Sequence, residues 1–305
     1  MDTAGPLRRV VFDLRQGSMA GISFGDQDRP VDLLFLHATG FNARTYRSLL
    51  APLGERVHVL AVDLRGHGRS DLPTSRFGYA SWNRHRDDVI ELIETKIKSP
   101  VALAGHSMGA TTCLLVGGKR PDIVRGLCLI DPVILTPTTY ALMRAPGAPV
   151  VAEWTFPIAR GARKRRAAFE TREAMERALV GRGIFRSFGA ETLADYIADG
   201  VVDRDEGVTL ACAPEFEART FAAQRNDPWK ALARAPAPFF ILRAERGSTL
   251  PERTARRISA LRPDARIATM KGATHALPME QPDRVRTVLA SMLVMTGQAK
   301  FAAID

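Results

Sequence analysis

The sequence predicts an α/β fold: a mostly parallel central β-sheet flanked by helices, with a helical cap inserted. Three observations carry this. Short β-rich apolar runs alternate with longer helical patterns. The alternation breaks between about 136 and 235, where helical patterns occur without a convincing strand. Strand-like runs resume at Phe239. The expected core is therefore 1–135 with 236–305, and the expected cap is 136–235.

The strand-like runs are 10–14, 31–37, 57–62, 101–104, 126–130, 239–242 and 266–269. The WNRHRDDVIELIETKI segment places Val89, Ile90, Ile93 and Ile97 at helix spacing. Another helix follows Ser107 and stops before Pro121. The insertion holds REAMERALV and ETLADYIADGVV, both with helical periodicity. Further helices are expected near Pro251 and from about Pro282.

Composition bounds the function classes. The 305 residues are 46% hydrophobic and 25% charged, which suits one large domain with an insertion. Three widely spaced cysteines form neither a disulfide framework nor a zinc pattern, so a reducing, cytoplasmic compartment is expected and no metal. The N-terminal MDTAGPLRRVVFDL lacks the apolar stretch of a secretory signal, and no apolar run is long enough to span a bilayer. The net charge of +10 comes from 36 Arg and 7 Lys, mostly scattered. Only 160–166, RGARKRR, is dense, and such a block usually forms a solvated face. No nucleic-acid-binding motif accompanies it, so no nucleic-acid partner is expected.

The pattern G-x-S-x-G occurs twice, around Ser23 and around Ser107. A nucleophile on such a turn needs a strand before it and a helix after it. Ser107 has both: VALA precedes it and MGATTCLLVGGKR follows. Ser23 is followed by GDQDRP, so a glycine-flanked strand or hairpin is expected there. A serine hydroxyl needs a base, and an acid that orients that base. With chain order Ser, acid, His, only His275 of the six histidines follows Ser107. The oxyanion donors are expected at Met108 N–H and in the HATGFNARTY loop, with Thr39 chosen and Gly40 and Phe41 beside it.

These segments together resemble the α/β-hydrolase superfamily. FLHATGF resembles its oxyanion loop, with Ala38 where glycine is usual. AVDLRGHGRSD resembles the loop after the fourth strand, LAGHSMGA the elbow, VRGLCLIDPV the sixth strand and GATHALPMEQP the histidine loop. The resemblance implies an eight-stranded, mostly parallel sheet, a helical cap, no cofactor and a Ser-His-acid triad. Dehalogenases and epoxide hydrolases of this superfamily use aspartate at the elbow, so Ser107 argues against both.

The acid is the open point. In most members it follows the seventh strand, but LRAERGSTLP puts Ser248 in that slot, with Glu245 three residues earlier. Some members place the acid at the end of the sixth strand, where this chain has Asp131, 24 residues after Ser107. Asp131 is preferred and Glu245 is the alternative. Ser248 is then expected to be a turn residue, capping the helix near Pro251. The expected function is a serine hydrolase acting on a small-molecule carboxylic ester. The alternatives are a lactonase, a carbon–carbon bond hydrolase and a non-catalytic ligand-binding member.

Overall fold

A computed structural model describes residues 7–74 and 79–298. The outer ends of the expected core, 1–6 and 299–305, lie outside the described residues, as do 75–78. Eight strands form the central sheet: β1 (Arg8–Leu14), β2 (Gly17–Phe24), β3 (Leu33–Leu36), β4 (Val59–Val62), β5 (Val101–His106), β6 (Val124–Ile130), β7 (Phe239–Ala244) and β8 (Arg266–Met270). Their order is β1-β2-β4-β3-β5-β6-β7-β8. Only β2 pairs antiparallel with its neighbours; every other pair is parallel.

The apolar runs are continuous because β3, β4 and β5 are buried along their whole length, as parallel strands covered on both faces must be. Alternate residues then serve two cores. Phe35, Ala104, Ile130 and Leu242 pack with Val285 and Leu289 of the helix Pro282–Met295. Leu36, Leu103, Leu129 and Ile241 pack with Val89 and Leu114 of the helices Asn83–Leu92 and Met108–Lys119. The registers set His106 beside Ile130, and Ile130 beside Leu242. The C-terminal ends of β5, β6 and β7 are therefore level, and the turns that leave them meet.

The segment between β6 and β7 departs from the expected all-helical character. It contains helices, among them Pro137–Met143, Ala148–Thr155, Pro157–Arg163, Arg172–Leu179 and Ala190–Gly200. It also contains a small antiparallel sheet of Ala168–Phe169, Val201–Asp203 and Val208–Leu210. The Val-Val read as the end of a helical pattern belongs to this sheet. Strands of two or three residues are too short to display a period of two.

Ion pairs seat this segment on the sheet. Asp195 accepts from Arg44 at 2.9 Å and Arg47 at 2.7 Å, and Asp199 from Arg9 at 2.8 Å and Arg69 at 2.7 Å. Asn42 Nδ2 donates to the Tyr196 carbonyl at 2.9 Å. Among the described residues, no helix is long and apolar enough to cross a membrane, and no cluster of His, Cys, Asp and Glu could hold a metal ion.

Candidate active site

Ser107 stands between β5 and the helix Met108–Lys119 with φ 56° and ψ −117°. A non-glycine residue in this region is strained, and the packing around it must hold it there. The flanking glycines make that packing possible. A Cβ on Gly109 would lie 2.2 Å from the Leu36 carbonyl oxygen, and one on Gly105 would lie 2.6 Å from the Gly109 carbonyl carbon. The strand–helix approach thus requires hydrogen at both positions, and it turns Ser107 towards the C-terminal edge of the sheet.

His275 comes from the loop after β8. The Ser107 hydroxyl donates to its Nε2 over 3.1 Å. Its Nδ1–H donates to Asp131 Oδ2 over 2.6 Å. The structure therefore brings Ser107, His275 and Asp131 into one hydrogen-bonded chain. A carboxylate on Nδ1 leaves Nε2 as the lone-pair nitrogen facing the serine.

Asp131 follows β6 with φ 43°, a conformation Asp tolerates better than most residues. Its Oδ1 accepts from Ala244 N–H at 2.9 Å and Ser248 Oγ at 2.5 Å, and its Oδ2 from Thr249 N–H at 3.1 Å. Burial alone would raise its proton affinity. The bond and charge of His275, with the Ser248 and Ala244 donors, outweigh burial and hold the carboxyl below the usual range. Glu245 is exposed and accepts from Gly272 N–H at 2.9 Å instead.

Ser248 does not cap the following helix, contrary to expectation. That helix, Glu252–Leu261, starts after Pro251 and has no side-chain cap. Ser248 accepts from Leu250 N–H and donates to Asp131, so the residue in this slot supports the carboxylate that follows the neighbouring strand. Sequence reasoning missed Ser248 and Thr249 as partners of Asp131. The signal available was a pair of hydroxyl residues where a carboxylate was due.

In the loop after β3, Ala38 N–H donates to Tyr46 Oη at 3.1 Å and Phe41 N–H to the Ala38 carbonyl at 3.1 Å. Thr39 lies against Met108, with its Oγ1 3.3 Å from Met108 Sδ. Met108 is the first helical residue, so its N–H falls outside the helix ladder.

His106 was not singled out by its sequence context. Its Nδ1 accepts from Tyr46 Oη at 2.8 Å, and its Nε2–H donates to the His275 carbonyl at 2.8 Å. Burial, then the neighbouring His275, drives its proton affinity down and keeps it neutral. One chain of bonds thus joins the Thr39 loop, the elbow and the His275 loop. Ser23 offers a contrast. It lies inside β2 and its Oγ is 2.8 Å from His58 Nε2, yet His58 Nδ1 donates to the Arg29 carbonyl rather than to a carboxylate.

Ser107 and His275 open into a cavity of about 520 Å³. Its far wall comes from the inserted segment and is mainly apolar, with Ile158, Leu179, Ile184 and Phe185. Arg165 and Glu217 also line it, paired at 2.7 Å. Arg182 stands at its edge.

Comparison with known proteins agrees with this architecture. A sequence model of the Alpha/beta hydrolase family matches residues 33–288. The chain is 29% identical over 288 residues to the 2-(acetamidomethylene)succinate hydrolase of Mesorhizobium japonicum, covering 93% of this chain and 96% of that one. It is 26% identical over 292 residues to a haloalkane dehalogenase of Bradyrhizobium diazoefficiens, covering 90% and 91%. The crystal structure of E-2-(acetamidomethylene)succinate hydrolase superposes with a TM-score of 0.78 at 26% identity, over 95% of this chain and all of that one.

Proposed function

As a chain that belongs to the Alpha/beta hydrolase family, this protein is a hydrolase, and we propose that it is a serine hydrolase cleaving a carboxylic ester through an acyl-enzyme on Ser107. The observation that carries the reading is the chain Ser107–His275–Asp131, with bonds of 3.1 and 2.6 Å, at the floor of an apolar cavity.

Ser107 Oγ attacks the ester carbonyl carbon and its proton passes to His275 Nε2. The carbonyl oxygen becomes an oxyanion and takes hydrogen bonds from Thr39 and Met108 N–H. Collapse breaks the bond to the leaving alkoxide, which takes the proton from Nε2. Water then gives a proton to Nε2 and attacks the acyl carbon. The acid departs as Ser107 recovers its proton. Asp131 stays ionised throughout and holds Nδ1–H in place, which stabilises the imidazolium. Residues 136–235 act as the cap on a core of 1–135 and 236–305, and no cofactor takes part. Three unpaired, buried cysteines support a cytoplasmic setting.

A fluorophosphonate probe is expected to label Ser107 covalently, and Ser107→Ala to abolish labelling. Folded protein that resists the probe would overturn the reading. A second reading is favoured by the relative that aligns along 93% of the chain, which is named for hydrolysis of an acetamidomethylene succinate. The same serine would then release an acyl group from nitrogen. Aryl esters, a lactone and an acetamidomethylene succinate, compared by kcat/KM, separate these substrates.

A further inference from the structure

The exposed apolar surface and the excess positive charge of this chain coincide. Among the described residues, Leu142, Val150, Val151, Trp154, Ile158 and Val180 are six of the eleven large hydrophobic side chains that stand exposed. All six lie in residues 137–189, and each is at least 56% exposed. The same 53 residues hold ten Arg or Lys against four Glu, a net +6 that falls to +3 because Arg144, Arg165 and Arg172 pair with Asp227, Glu217 and Asp203 from outside the segment.

Local packing explains why these side chains point outwards. In the helix Ala148–Thr155, Ala152 is buried against Met143 and Ala222. Val150, Val151 and Trp154, one, three and four residues apart, share the opposite face. The helix Pro157–Arg163 follows at once and buries Ala159 and Ala162 against Ala218, leaving Ile158 and Arg160 outside. Arg163 lies 4.3 Å above the Trp154 ring and pairs with Glu153.

Part of this surface adjoins the cavity. Ile158, Leu179, Arg182 and Ile184 line it, and Val180 stands exposed between Leu179 and Arg182. Exposed apolar groups of this number mark a site that meets another apolar phase. The charge decides which. A second copy in two-fold contact would set a net-positive face against itself. A nucleic acid would use the arginines and leave the aliphatic side chains in water. An anionic lipid surface uses both, with apolar side chains in the acyl boundary and cations among the headgroups.

We propose that residues 137–189 dock on an anionic lipid surface with the cavity mouth facing the bilayer. The surface observations carry this without the catalytic reading, so its test stands apart from the labelling of Ser107. The helices lie on the membrane and do not cross it, since none is long and apolar enough to do so.

The test floats the whole chain with phosphatidylcholine vesicles, with and without phosphatidylglycerol. Binding is expected only to the mixed vesicles, weakening as salt rises. Val151→Asp and the pair Arg160→Glu with Lys164→Glu are each expected to weaken binding at least about ten-fold. Both are expected to keep the wild-type circular dichroism and rate of fluorophosphonate labelling. Absence of flotation, or equal flotation with neutral vesicles, overturns the proposal. So does DNA retention that the charge reversals abolish and Val151→Asp leaves intact, when no vesicles are bound. Dimerisation abolished by Val151→Asp without vesicle binding assigns the face to a second copy and overturns it too.

Discussion

Asp131 reaches His275 because three neighbours hold its carboxylate in place. Ser248, Thr249 and Ala244 occupy most of its remaining lone pairs, so the acid has one orientation. Removing the Ser248 hydroxyl takes one of the two donors from Oδ1 without touching His275. Ser248→Ala is therefore expected to lower kcat about ten-fold with little change in KM, the scale of one hydrogen bond to a charged group. Steady-state kinetics on an aryl ester checks this, and an unchanged kcat would remove Ser248 from the account. Ser107 and His275 were legible from motif and chain order. Asp131 and Glu245 could not be separated with the same certainty, because the choice rests on which strands lie side by side. Ser248 lies 117 positions from Asp131, and no local pattern links them.

The elbow depends on its glycines as an element and not as single residues. Gly109 faces the carbonyls of Leu36, the last residue of β3, and of His37 after it, and a methyl group there has nowhere to go. Gly109→Ala is expected to cost about 3 kcal/mol or more of stability in urea unfolding, because the strand–helix contact must open. The buried strands were legible because continuous apolar runs mark a sheet covered on both sides. The small sheet in the insertion was not, since its strands are two or three residues long and one pairing, Val208 with Phe169, joins positions distant in sequence. The helical reading of the insertion failed where tertiary pairing overrode local pattern.

At the scale of the whole molecule, burial holds four of the six histidines neutral. Burial lowers the proton affinity of His37, His67, His85 and His106, with His67 brought to about 4. In the unfolded chain these rings take up protons below about pH 6.5. Their contribution is thus full above that pH and is lost as pH falls, by up to about 1.4 kcal/mol per unit for each ring. Asp63 works the other way: burial raises its carboxyl to about 7, so its contribution falls as pH rises from about 4 to 7. Four rings outweigh the two carboxyls that burial raises, Asp63 and Asp88, and the urea midpoint is expected to drop steeply as pH falls from 7 to 5. A flat profile would contradict the buried, neutral state of these rings. The family was legible from motifs spread over most of the chain, and it matches residues 33–288. The charge excess was legible too, but which of its arginines are paired with acids elsewhere in the chain depends on how the insertion folds.

The central claim is that Ser107 acts through His275 and Asp131, the acid that follows β6. Fluorophosphonate labelling rates of the wild type, Asp131→Asn and Glu245→Gln test it directly, with circular dichroism as the control for folding. The account predicts that Asp131→Asn slows labelling by about 10³-fold or more, as loss of the orienting carboxylate does in such triads. Glu245→Gln is expected to stay within a few-fold of wild type. The reverse order, with Glu245→Gln slow and Asp131→Asn near wild type, would contradict it and return the acid to the turn after β7.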